Sequence, residues 1–339
     1  GKGDKPCIYG AAINAVADRW EKKSGNIWVC ETSASTDVGI IVFNHGEKVG
    51  NKMLNNNLSR NFQYYHDLTT GKIYFYYDQG DPSKVFKDIE MGERKNIISI
   101  PPNAKNVVID NLTLKYGGAH GVGGTEFENL IVRNCEIGWI GGSYLFGTTR
   151  YGNAVECWGS CNGFLVENCY IYQIYDTGLT HQYKGDDTNT VMIENVTYKN
   201  NLVEYCTWSI EWFHSQPKTN GLMRNTIIEG NILRFSGYGW GNQRPEKSEA
   251  AHIKTWGHPN KSVNFSMYNN VLDTAFYKMF EFKASSGTSS LPSLSGNTYV
   301  QQKGKQAGDW GSNRLTFDSN IEAAIKSCGM EYNPIIKFK

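Results

Sequence analysis

TYKNNLVE (197–204), IIEGNILR (227–234) and SMYNNVLD (266–273) share one form. An apolar alternation leads into two turn-favouring residues, and a second apolar run follows. Upstream, VVIDNLTL (107–114), LIVRNCEI (130–137) and FLVENCYI (164–171) repeat it. Aligned, the six segments give a column of Asn111, Cys135, Cys169, Asn201, Asn231 and Asn270. The column before it reads Asp110, Asn134, Asn168, Asn200, Gly230 and Asn269. The unit returns every 24 to 39 residues. In a solenoid, equivalent residues on successive coils lie about 4.8 Å apart, so stacked asparagines can hydrogen-bond along the column. Ordinary hairpins are the alternative. Their turns favour Asn-Gly or Asp-Gly, whereas apolar residues follow the pairs here.

The rest of the 339 residues agrees with an all-β chain. Tyr (20), Phe (15) and Trp (9) supply strand formers and 36 Gly supply tight turns. Helical periodicity is confined to 320–328, where Ser319 is the expected cap, Glu322 completes a capping box and Gly329 stops the helix. Charge nearly cancels, with 34 basic against 33 acidic residues. No basic block favours nucleic acid or an anionic membrane, and no apolar run is long enough to span a bilayer. The eight cysteines lack CxxC spacing, and most of them read as small buried residues rather than disulfides or metal ligands. The opening GKGDKPCIYG reads as the end of a turn, so upstream residues are expected.

The coil repetition and its Asn column resemble the right-handed parallel β-helix of the pectin-lyase-like superfamily, over roughly residues 95–300. That resemblance implies a carbohydrate-active enzyme, with a secreted or periplasmic bacterial location favoured and a cytoplasmic one open. Residues 16–94 lack the repeat. GNIWVCE, VGIIVFN and the pair NFQYYHD and KIYFYYD, joined by LTTG, read as antiparallel strands, and DQGDPS (78–83) as a turn. The expected division is a β-helix fragment at 1–15, a small antiparallel domain at 16–94 (inserted, or simply N-terminal), a catalytic β-helix at 95–300 and a tail with a capping helix at 301–339.

Each repeat carries a second strand. Aligned on Val122, Val155, Leu179, Ile210, Ile253 and Phe280, these strands should point those six side chains inward. The next residue then forms an outward column of Gly123, Glu156, Thr180, Glu211, Lys254 and Glu281. Three residues after the apolar one stand Trp158, Gln182, Phe213, Trp256 and Lys283, and just before it Gly121, Ala154, Gly178, Ser209, His252 and Met279, of which the small Ala154, Gly178 and Ser209 are expected to keep the face open. Glu211, in SIEWFHS (209–215), therefore reads as an exposed carboxylate among aromatics, with Glu156 two rungs away and Asp176 between. A lone outward glutamate means little on a sheet. Three carboxylates on successive rungs are mutually repulsive and ask for a reason.

These carboxylates are the candidate catalytic group: Glu211 as nucleophile or base, Asp176 or Glu156 as acid, because glycoside hydrolysis needs two carboxyls. Trp158, Gln182, Phe213, His252, Lys254 and Trp256 are candidate sugar contacts, with Arg150, Arg244 and Trp240 walling a cleft from long loops. Lys254 also reads as a surface ion-pair partner for Glu211, and His181 as a buried histidine. Asp186 and Asp187 bring calcium to mind, but the loop offers few oxygens. No zinc spacing, phosphate loop or nucleophile elbow occurs, so no cofactor or metal is expected. A uronate-directed lyase and a non-catalytic carbohydrate-binding solenoid are the alternatives to a hydrolase.

Overall fold

The computed structural model describes residues 5–15, 20–32, 34–183, 190–214, 221–244, 249–256, 262–283 and 291–339. Three sheets wind into a parallel β-helix. One coil runs through Val122–Gly124, Phe127–Arg133 and Glu136–Ile140 before the chain returns one rung on as Val155–Trp158. The apolar alternation builds the core as expected. Val122, Val155, Leu179, Ile210, Ile253 and Phe280 stand in register on successive strands and are fully buried.

The asparagine column is a hydrogen-bond ladder. The backbone N–H and the Nδ2 of Asn201 both donate to Asn231 Oδ1 at 3.0 Å; Asn231 does the same to Asn270, and Asn270 to Asn297. Each of the first three Nδ2 groups also reaches a carbonyl at 2.9 Å, on Val166, Tyr198 and Ile228. Glu331 ends the ladder by accepting from Asn297 N at 2.8 Å and from the Tyr299 hydroxyl at 2.7 Å. Cys135 and Cys169 fill the same buried corner on earlier coils.

Asn111 does not belong to this column. Asp110 pairs with Arg133, so Asn111 stands opposite Asn134 in the outer column. The corner requires a left-handed residue there: Asn111, Asn134, Asn168, Asn200, Gly230 and Asn269 have φ between 53° and 63°, a conformation asparagine and glycine tolerate. A second, exposed ladder links Asn129 to Asn106, Asn225 to Asn195 and Asn264 to Asn225 at 3.0–3.1 Å.

Before the coils, Ile27–Glu31, Lys72–Tyr76 and Gln63–Asp67 pair antiparallel, and Val38–Phe43 pairs with Ile89–Glu93. Phe43, Phe62, Phe75, Tyr77 and Phe86 pack ring against ring beneath them. Cys7–Tyr9 lies parallel to Thr113–Gly117 and extends a β-helix sheet. The small sheets meet the coils closely. A Cβ on Gly118 would fall 2.3 Å from the carbonyls of Gly92 and Glu93. Lys52 Nζ and Asp37 form a buried ion pair at 2.5 Å, and Asp37 also accepts the Tyr144 N–H at 2.7 Å. Trp240, expected to wall a cleft, is instead buried with Ile40, Val42, Tyr116 and Tyr175, its indole N–H donating to Gln173 O at 2.6 Å. Arg150 is also buried, donating to Lys52 O at 3.0 Å. DQGDPS bends at 78–80 and leads into one helical turn, Pro82–Val85, capped by Asp81. The late helix spans Ile321–Ser327. Its cap position is Asn320 rather than Ser319, with Asp318 accepting the Asn320 N–H at 2.8 Å.

Asn201→Leu should destabilise the protein by roughly 1–3 kcal/mol in urea denaturation, because Asn231 and Cys169 lose buried partners. Asn225→Gly, which removes the side chain from the exposed ladder but tolerates the left-handed φ of 57° there, should change stability by less than about 0.5 kcal/mol. Equal effects would contradict the distinction between the two ladders.

Candidate active site

The outward column falls on one sheet face in the expected register: Gly123, Glu156, Thr180, Glu211, Lys254, Glu281 and then Asp309. The strands Thr177–Tyr183, Trp208–His214 and Ala251–Thr255 carry its centre. Asp176 lies in the two-residue connection that enters the first of these, and its backbone carbonyl accepts the Trp208 N–H at 3.0 Å.

Glu211 is not exposed. It retains 4% of its accessible surface, and Glu156 6%. Neighbouring rungs lean over it. The Thr177 hydroxyl donates to Oε2 at 3.0 Å, and the Trp256 indole N–H donates to Oε1. Burial, followed by the charge of Asp176, pushes the Glu211 carboxyl up to about 8, against the pull of the Trp256 and Thr177 hydrogen bonds. Asp176 faces Arg244 at 3.6 Å. Arg244 is itself buried, donating to Gly241 O at 3.0 Å and Thr207 Oγ1 at 3.1 Å and lying 4.1 Å from the Tyr175 ring centre. The loop holding Arg244 therefore does reach the carboxylates.

Glu156 is tied to groups that the sequence reading missed. Its Oε2 accepts from Asn153 Nδ2 and lies 3.1 Å from His120 Nδ1. Asn153 Oδ1 accepts the Thr177 N–H at 2.9 Å, so a short relay runs from Glu156 through Asn153 and Thr177 to Glu211. None of these three sits in the alternating columns, which is why the pattern did not select them.

Two tryptophans frame the group. Trp158 is 39% exposed and packs edge-on against Phe213, 6.2 Å away. Trp256 is 37% exposed and meets Trp208 at 5.8 Å. Phe213 and Gln182 are buried beneath. Several other expectations change. Lys254 pairs not with Glu211 but with Glu281, at 2.6 Å. Glu281 has no exposed surface and is ringed by Lys254, Lys278 and Lys283. Burial alone would raise its carboxyl, but these lysines bring it down to about 2. Gly121, Ala154, Gly178 and Ser209 do not open the face. They are packed at a corner, where a Cβ on Gly178 would meet Ser209 O at 2.7 Å. His252 is buried there too, 3.3 Å from Ser209 Oγ, and its charged neighbours are Asp273 and Lys339 rather than the carboxylates. Burial pushes both His252 and His181 down to about 3, and His181 Nδ1 lies 3.0 Å from the Tyr198 hydroxyl. Asp186 and Asp187 lie outside the described residues. Among those described, one cluster brings together three groups able to ligate a metal: His45, Asp88 and Glu90. Its ring nitrogens each face a carboxylate, Asp88 at 3.3 Å and Glu90 at 3.5 Å, which is ion-pair geometry.

Comparison with solved structures gives likeness at low identity. A glycoside hydrolase structure is 11% identical, with TM-score 0.43, over 83% of this chain and 56% of its own. A complex of XylC with xylose is 10% identical, with TM-score 0.42, over 93% and 62%. The full-length tailspike protein 2 of Escherichia coli O157:H7 bacteriophage CAB120 is 10% identical, with TM-score 0.30, over 88% and 44%. The chain thus spans between 44% and 62% of the length of these structures. No family model and no curated protein matches the sequence.

Two stability measurements follow. Native Glu211 holds its proton more tightly than the unfolded chain does, so its contribution is complete below its ordinary value of 4.5 and is lost as pH rises to about 8. Against Glu211→Gln, which stays neutral, wild-type stability should fall by roughly a few kcal/mol between those limits. Parallel profiles would contradict the raised carboxyl. Glu281 has the opposite sign. Its contribution is present above 4.5 and lost as pH falls through about 2. Glu281→Gln should cost about 3–5 kcal/mol at neutral pH by leaving buried lysines uncompensated, and a silent substitution would contradict the network.

Proposed function

We propose that the chain is a glycoside hydrolase acting on an oligo- or polysaccharide laid along this face. Glu211 is the general acid and Asp176 the base or nucleophile. What supports this reading is a buried carboxyl, pushed up to about 8 by burial and Asp176, beside a carboxylate that faces Arg244, with the half-open Trp256 donating to Glu211 and the half-open Trp158 on the same face. It exchanges the roles expected from sequence, where Glu211 was the nucleophile or base. A proton donor must hold its proton at working pH, and pairs of carboxyls with divergent environments divide the work in this way.

In the reaction Glu211 delivers its proton to the leaving oxygen as the glycosidic C–O bond breaks. Asp176 either attacks the anomeric carbon or takes a proton from the water that does. In the first case a glycosyl–enzyme forms, and the Glu211 carboxylate then deprotonates the water that releases it. Trp158 and Trp256 offer flat apolar faces to sugar C–H groups. Trp256 also holds Glu211 through its N–H, so its loss should affect both binding and chemistry.

Lysis of a uronate would need a basic group and cationic clamps. Lys254, the base that reading requires, is ion-paired with Glu281 at 2.6 Å and stacked 4.5 Å over Trp256. That favours hydrolysis. Incubation with neutral and uronate-containing glycans should release reducing ends without ultraviolet-absorbing unsaturated products. Absorbing products would mean a lyase, and binding without turnover an adhesin. On a hydrolysed substrate, Asp176→Asn should lower kcat by about 10³-fold or more. Glu211→Gln should do likewise on a poor leaving group, but far less on a dinitrophenyl glycoside, where the basic limb of the pH–rate profile should vanish. Trp158→Ala should raise KM with kcat nearly kept. A basic limb that survives Glu211→Gln would remove Glu211 as the acid.

A further inference from the structure

His120 has no part in the reaction as written, yet it is placed against one of the three carboxylates. Its side chain is 12% exposed, enclosed by Tyr151 at 5.0 Å and by Gly123, and the backbone N–H of His120 donates to Asn96 Oδ1 at 3.2 Å. Nδ1 faces two groups with opposite demands. The Asn153 N–H points at it from 3.1 Å and requires a lone pair. Glu156 Oε2, also at 3.1 Å, requires a proton when ionised. A neutral Nδ1 would set its lone pair against an anionic oxygen, and a protonated Nδ1 would set its N–H against the Asn153 N–H. The contact with Glu156 becomes favourable when one proton lies between nitrogen and oxygen, whichever atom it is bonded to.

We propose that His120 and Glu156 bind one proton as a unit, and that His120 is thereby a positioning residue that keeps Glu156 from adding a third negative charge beside Asp176 and Glu211. With the shared proton the pair has no net charge. Without His120, Glu156 stands as an anion held by Asn153, and its field strengthens the hold of Glu211 on its own proton. The other titratable groups around the pair are Tyr151, whose hydroxyl is raised by burial and feels Glu156 and Arg94; the buried Cys157 and Tyr198, both raised by burial and then by neighbours that include Glu156; and Glu211 itself. The effect on turnover rests on the hydrolase reading; the shared proton does not.

Nitrogen-15 NMR of the histidines in the full chain tests the pair without any substrate. His120→Asn, or His120→Ala, assigns the resonance by deleting it. Glu156→Gln should lower the pH at which His120 Nδ1 loses its proton by about one unit or more, because the carboxylate that held the proton is gone. An unchanged titration overturns the proposal. On a hydrolysed aryl glycoside, His120→Asn should move the basic limb up by about half a pH unit or more, and should move it no further in the Glu156→Gln background. A limb that stays put, or moves equally in both backgrounds, overturns the influence on Glu211. If no glycan is turned over, the hydrolase reading fails and the NMR titration alone decides whether the pair exists.

Discussion

Equivalent positions on successive rungs of a parallel stack lie about 4.8 Å apart, and every column of side chains must be compatible with that spacing. Asparagine meets the demand inside the corner because it carries both a donor and an acceptor. Asn201, Asn231, Asn270 and Asn297 each give to the next and take from the one before, and Glu331 closes the series with acceptors alone. Carboxylates cannot meet it by themselves. On the site face Thr180 separates Glu156 from Glu211, and Lys254 separates Glu211 from Glu281. Glu281 and Asp309 are directly adjacent, and Lys278 bridges them at 3.1 Å to each. The column is thus ion-paired with lysines at its Glu281 end, while Glu156 and Glu211 are held by Asn153, His120, Thr177 and Trp256 instead.

The inward and outward columns were legible because alternation is a property of the strand itself. Once Val155, Leu179 and Ile210 are aligned, the position of Glu156, Thr180 and Glu211 follows. Burial of Glu211 was not legible. The groups that cover it, Thr177 and Trp256, come from neighbouring rungs, and a side chain's lean between rungs leaves no periodic trace. His120 and Asn153 were missed for a related reason, since both lie in connections of irregular length. Asn111 was misassigned because the corner has two consecutive polar positions. Residue type does not separate them, while the left-handed φ of the outer one does. His252 was read as outward from strict alternation, which fails at the corner where Gly178 and Ser209 pack.

Loss of Lys254 as a partner for Glu211 matters more than its gain by Glu281. A lysine at hydrogen-bond distance would have held Glu211 ionised, as three lysines hold Glu281 near 2. Two glutamates in one outward column thus shift in opposite directions through burial and the placement of cations. Residue identity alone says nothing of this difference, yet it decides which of the two can serve as an acid.

The covering of Glu211 links the fold to its proposed chemistry. In water the field of Asp176 would be screened and the carboxyl would titrate near its ordinary value. Under Trp256 and beside a connection pinned by Arg244, the same field acts in a poorly solvated space and the proton is retained. Arg244 in turn is positioned by the carbonyls of Gly241 and Tyr175 and by Thr207, so its charge faces Asp176 without depending on a mobile side chain. Tyr175 packs on Trp240, against the small sheets of the first hundred residues. The small sheets therefore bear on the carboxylates through packing rather than through a ligand: they hold Trp240, which holds Tyr175 and the loop of Arg244.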